Sequence, residues 1–206
     1  MSAPPHLFII GQIILDQEEQ AKLYKVKHNL SKDLRGLEIW GSYEEFPLKD
    51  LRGVDLSGSI LHQVNFDACD FEGANLTGTK IIRCSLQGAN LKEANFTDCV
   101  LEGVDFTGAL MGGACFKDAC LDKAILRGCD LRGAKLKDAY VGSADFSLSN
   151  CEGVDFAGVS YSYWDTESEC LNGYILEPRL LFRGAGLKEA VFDGLALHHA
   201  QFEGAD

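Results

Sequence analysis

The chain has no apolar stretch long enough to cross a bilayer. Its longest strongly apolar run, Leu7 to Leu15, is interrupted by Gly11 and Gln12 and falls well short of the roughly 20 residues a spanning helix needs. The first six residues, Met-Ser-Ala-Pro-Pro-His, lack the basic start of a secretory signal, so no membrane association is expected and the mature protein reads as cytoplasmic. No CxxC pair is present, and His198-His199 has no ligand cluster near it in sequence, which argues against a metal site. Neither GxGxxG nor GxxxxGK[ST] occurs, so no phosphate-cradling loop is expected. Nor do special residues stand out from the pattern as an acid-base pair or as a nucleophile with its base. Without these groups, neither catalysis nor a cofactor is expected.

What the chain does contain is a period of five. Every fifth residue from Leu51 to Tyr161 is apolar over 23 positions, of which 21 are Leu, Ile, Val, Met or Phe. Two residues before each centre, from Val54 to Val159, stands a column of 22 residues drawn only from Ala, Cys, Val, Ser and Thr. The residue just before the centre is Asp or Asn in half the units, and Gly is common two residues after it. Five matches neither the 3.6-residue period of a helix nor the 2-residue period of a strand, so the chain must turn within each unit. Gly supplies freedom at the turn, and Asp or Asn can hydrogen-bond neighbouring backbone groups. One unit cannot bury its large side chain alone, whereas stacked coils share a continuous interior. The pattern predicts an all-β solenoid.

Regularities at twenty residues set the coil at about four units. The residues after the centres read Arg52, Glu72, Lys92, Gly112, Arg132, Glu152, and this register predicts opposite charges facing each other at ~4.8 Å, the spacing of neighbouring strands. The interior column Phe66, Leu86, Phe106, Leu126, Phe146 alternates aromatic and aliphatic, an arrangement that interdigitates. Stretches such as Ala74-Asn75-Leu76-Thr77-Gly78 and Ala89-Asn90-Leu91-Lys92-Glu93 resemble the Ala-(Asp/Asn)-Leu-X-X motif of the pentapeptide-repeat family. The resemblance covers residues 51–161 and returns from about Leu180. It implies a right-handed quadrilateral β-helix.

Four segments follow. Residues 1–50 are read as a small α/β cap: a strand over Leu7 to Leu15, Asp16 capping a helix that ends near His28 to Ser31, and an out-of-phase Asp33-Leu34-Arg35-Gly36. The cap is expected to cover the first coil's open edge. Residues 51–161 are the regular solenoid. The motif lapses over residues 162–179 and resumes one residue out of register over 180–206. The lapse holds Tyr163 and Trp164; it reads either as a functional loop or as a tolerated bulge with Trp164 packed beneath it. Of the eight cysteines, Cys69, Cys84, Cys99 and Cys129 occupy the small column, where a thiol serves as a compact hydrophobe.

Three surfaces carry the functional expectations. The outward column Ile60, Lys80, Val100, Cys120, Tyr140 lacks Asp and Asn, and its apolar members Ile60, Val100, Cys120 and Tyr140 are the candidate binding face for a protein partner. The column Asp98, Asp118, Asp138 stacks like charges beside Lys117, Lys135 and Lys137. With a formal net charge of -12, that column supports an alternative in which the rod imitates DNA toward a type II topoisomerase, DNA gyrase, as the resemblance to quinolone-resistance members implies. Ala205-Asp206 opens a repeat whose centre never arrives, and a homodimer through Phe202 is the expectation there. The first reading is a non-catalytic interaction scaffold that contacts no nucleic acid directly.

Overall fold

The computed structural model describes residues 8–10, 13–15, 17–28, 31–41, 46–160, 180–193, 197 and 200–206. The solenoid is built as the period requires. Parallel bridges join each Asp/Asn-position residue to the one a coil later, as in Asp55↔Asn75↔Asn95↔Cys115↔Lys135↔Asp155. At most corners the amide of the small residue donates to the carbonyl of the large centre three residues back, as in Ala74 N to Phe71 O at 2.9 Å and Ala119 N to Phe116 O at 3.0 Å, while at the Leu61 corner the Val64 amide donates to Cys84 Sγ at 3.4 Å. A corner closed by that bond is a β-turn. Its third residue takes a positive φ, with Gly at most of these positions, except at the Val141 corner, where the positive φ falls on the second residue, Gly142.

Four turns per coil give four sides, called here by their first regular centres Leu51, Leu56, Leu61 and Phe66. The large and small columns are both buried, and together they form one core from Leu34 to Ala185 with the hairpin-side helix residues Leu23 and Val26 packed into it. Phenylalanines stack within columns and meet edge-on between them. Phe96 and Phe116 lie 4.8 Å apart at an interplanar angle of 1°, whereas Phe96 and Phe106 lie 6.2 Å apart at 84°. The expected aromatic-aliphatic alternation runs to Phe146 and then gives way to a stack, with Phe182 5.2 Å from Phe146 and Phe202 5.1 Å from Phe182.

The solenoid starts earlier than its five-residue phase indicates. Asp33 bridges Asp55, and strand β3 (Glu38–Trp40) pairs in parallel with β4 (Ile60–His62), which pairs with β5 (Lys80–Ile82). Asp33-Leu34-Arg35-Gly36, expected to stand out of phase in the cap, thus forms one side of the first coil. The step from Leu34 to Leu56 is 22 residues, with the two extra residues falling between Trp40 and Phe46. Ahead of this coil, β1 (Phe8–Ile10) and β2 (Ile13–Leu15) form an antiparallel hairpin where one strand was expected. The helix α1 spans Gln17–Lys27, and Asp16, the expected cap residue, lies outside the described residues. β2 pairs antiparallel with β3 at Ile14↔Trp40.

The ladder also closes over the lapse. Asp145 bridges Leu181, Asn150 bridges Gly186 and Asp155 bridges Val191, each a step of 36 residues. Sixteen residues beyond one coil therefore lie between bridged partners, far more than the single extra residue of a β-bulge. Tyr163 and Trp164 lie outside the described residues. Among the described residues no helix is long and apolar enough to cross a membrane.

Candidate interaction surfaces

The polar residues of the repeat are committed to the backbone. Each of the eleven Asp and Asn residues at the pre-centre position from Asp55 to Asp155 accepts from the amide two residues on, at 2.8 to 3.4 Å. These are corner ligands, the role that competes best for Asx side chains beside a turn. Small-column hydroxyls and thiols do related work inside. Thr79 Oγ1 donates to the carbonyl of Leu56 at 2.9 Å, Cys99 Sγ to that of Leu76 at 2.8 Å, and Cys129 Sγ to that of Phe106 at 3.0 Å. Burial pushes the Cys84, Cys99 and Cys129 thiols up to about 12 and that of Cys151 to about 11. Cys84, Cys99, Cys115, Cys129 and Cys151 are free thiols, and no group of three His, Cys, Asp or Glu among the described residues could hold a metal.

The charge ladder expected on the Leu51 side forms differently. Arg52 turns back to its own unit, donating Nε and Nη2 to Asp50 at 2.9 and 2.8 Å. Arg35 with Asp33 and Arg132 with Asp130 repeat this bidentate pair. All three arise from the same tetrapeptide, Asp-Leu-Arg-Gly. A two-residue offset within one unit gives the guanidinium fork a nearer carboxylate than the next coil does. The arginines hold the carboxyls of Asp33, Asp50 and Asp130 below the usual range. One cross-coil pair does occur in this column, Lys188 Nζ to Glu152 at 3.0 Å.

The apolar column stacks as expected, with bridges running Ile60↔Lys80↔Val100↔Cys120↔Tyr140↔Ser160. Its four candidate residues are half-buried. The structure enlarges this surface with a parallel column on the same side, Trp40, His62 and Ile82. Trp40 is 49% exposed. Its ring lies 4.9 Å from that of His62, and its indole Nε1 donates to Glu38 at 3.0 Å. Glu102 and Asp122 continue the column and both pair with Lys123, so the apolar part of this side has a charged border. Sequence reasoning missed Trp40, although Glu-Ile-Trp at positions 38–40 alternates as an edge of this side would.

Asp98, Asp118 and Asp138 occupy three successive corners of the Leu56 side, each in the left-handed region with φ of 58°, 57° and 60°. Lys117 pairs with Asp118, which holds the ammonium above its usual range, with Asp138 and Asp98 adding to the effect. Lys135 and Lys137 make no ion pair among the described residues. Phe202 is half-buried against Phe182 and Phe192.

A fourth feature was not foreseen. On the Phe66 side, Ile125 and Leu148 flank a shallow groove that also touches Asp105, Thr107, Arg127 and Asp145. Leu148 is 65% exposed and has φ of 62° at a corner where the coils on either side place Gly128 and Gly184.

These corners, columns and ladders define a pentapeptide solenoid, and comparison with known proteins agrees. A family model described as a pentapeptide repeat region matches residues 59–136, and a second, of pentapeptide repeats, matches residues 124–160. Together the two matches span residues 59–160, the stretch that carries the five-residue repeat most regularly. Among solved structures it is similar to HetL, a pentapeptide repeat protein involved in heterocyst differentiation regulation from the cyanobacterium Nostoc sp. strain PCC 7120. The two are 20% identical over 90% of this chain and 91% of that one, with a TM-score of 0.50. A trypsin-treated form of QnrB1, a plasmid-mediated fluoroquinolone resistance protein, is 20% identical over 84% of this chain and 76% of that one, with a TM-score of 0.45. A pentapeptide repeat protein of the Arabidopsis thaliana thylakoid lumen is 28% identical over 63% and 71%, with a TM-score of 0.31. No curated protein matches the chain.

Proposed function

We propose that this protein is a non-catalytic scaffold that binds a protein partner through its Leu61 side. The coil is taken as right-handed, as the family likeness implies, with the hairpin and α1 covering its first edge. The observation that carries the reading is the joined apolar surface of Trp40, His62, Ile82, Ile60 and Val100. Leu110 on the Leu51 side and Val191 on the Leu56 side, by contrast, stand singly among the described residues. Scattered apolar residues are ordinary on a protein surface, whereas a contiguous patch with a polar rim marks a place where another surface sits. The repeat's Asp and Asn side chains are occupied at corners, which supports binding over chemistry.

The test is the double variant Val100→Lys with Tyr140→Glu. Both residues are half-buried on the outside of the ladder, so the coil should keep its circular dichroism spectrum while capture of the partner is lost. Capture unchanged by the folded double variant removes the Leu61 side.

The corner stack Asp98, Asp118, Asp138 supports a second reading, an acidic rod presented to a type II topoisomerase in place of DNA. Among the described residues only Asp118 of the three is ion-paired, with Asp98 and Asp138 one coil away on either side of it. Asp98→Asn with Asp138→Asn should then relieve inhibition of purified DNA gyrase, and a wild-type chain without effect on the enzyme would remove this reading.

A further inference from the structure

We infer that the groove between Ile125 and Leu148 is a second docking point, on a different side of the rod, and that it takes a cationic, partly apolar segment of a partner protein. Three observations meet there. The first is conformational: Leu148 keeps a left-handed backbone that its neighbouring coils give to Gly128 and Gly184, and it spends that strained position on a side chain 65% exposed. Nine other non-glycine residues take a left-handed corner, and among the described residues Leu148 is the one large apolar side chain placed there. The second is apolar surface, since Ile125 is 36% exposed at a pre-centre position where this side otherwise places polar residues from Asn65 through Asp145.

The third is charge. Ile125 bridges Asp105 on one coil and Asp145 on the next, so an apolar side chain lies between two carboxylates about 4.8 Å to either side. Asp145 Oδ1 accepts the Ser147 amide at 2.9 Å, but its Oδ2 lies 3.7 Å from Arg127 Nε, beyond hydrogen-bond reach. Asp105 accepts from the Thr107 amide and hydroxyl and from Gln87 Nε2. Two carboxylates against one guanidinium leave the groove negative, on a chain whose formal net charge is -12. A lysine or arginine fits both features, laying its aliphatic stem on Ile125 and Leu148 while its head reaches Asp145. A second copy of this chain is disfavoured by the same net charge.

The test uses the full chain, methyl-labelled, titrated with short synthetic peptides of alternating Lys and Leu and, as probes of opposite and purely ionic character, peptides of alternating Glu and Leu and of Lys alone. The inference expects the Lys-Leu peptide to shift the Ile125 and Leu148 methyl resonances. Leu148→Gly and Asp145→Asn should each weaken its binding about tenfold or more, the loss expected of a residue that anchors an interface. Equal binding of the Lys-only peptide, tighter binding of the Glu-Leu peptide, or shifts confined to the methyls of Ile60, Ile82 and Val100 would overturn it. Cross-peaks in the free protein from Leu148 to residues 161–179 would overturn it as well, by showing that the chain fills its own groove.

Discussion

A leucine in the left-handed region carries about 1–2 kcal/mol of strain relative to glycine, and Leu148 buries little side chain in return. Leu148→Gly should therefore raise stability by about 1 kcal/mol, seen as a higher denaturation midpoint; a lower midpoint would mean that the Leu148 side chain contributes more packing over Gly184 than its exposure indicates. The small column sets the opposite constraint. Ala119 is 1% exposed between filled coils, so Ala119→Leu should lower stability by about 1–3 kcal/mol or more through overpacking. A variant melting with the parent would contradict the assignment of that column. Asp and Asn owe their frequency to the amide two residues on, a local bond that any unit can make.

At the scale of the coil, the buried thiols tie stability to alkaline pH. The folded chain holds Cys84, Cys99 and Cys129 at about 12, raised from about 9 by burial. Below about 9 the thiols are protonated in both states and contribute no pH dependence. As pH rises from there toward 12, the unfolded chain releases protons that the folded chain retains, and stability falls. Denaturation midpoints should decline across that window, and Cys99→Ala with Cys129→Ala should flatten the decline; an identical slope would place its origin elsewhere. The same local chemistry explains what the sequence could and could not reveal. The corner, the two core columns and the twenty-residue coil are written within each unit, and the bridges from Asp50 to Ser160 follow them. A five-residue period reports position only as a remainder, however. The 36-residue step over the lapse and the 21-residue step of a single bulge leave the same remainder of one. The 22-residue step from Leu34 to Leu56 likewise breaks the five-residue phase, so the period alone leaves Trp40 in the cap, whereas the first coil carries it to the Leu61 side. Arg52 and Arg132 turn to Asp50 and Asp130 because side-chain reach, which the period does not encode, decides their partners.

At the scale of the whole molecule, a solenoid is close to one-dimensional, and each coil rests on its two neighbours. Amides near the middle, from about Leu91 to Phe146, have fully buried centres on both sides and should exchange most slowly. Those near Phe192 and Phe202, whose rings are half-buried, should exchange fastest, and uniform protection would indicate a single cooperative unit. The rod offers four sides, and the central claim is that the Leu61 side is the one a partner protein covers. The most direct measurement replaces Tyr140, and in a separate chain Leu110 on the Leu51 side, with a photo-crosslinking phenylalanine in the native cell. The account predicts a discrete protein adduct from position 140 and none from position 110. Adducts of equal yield from both positions, or from position 110 alone, would contradict it.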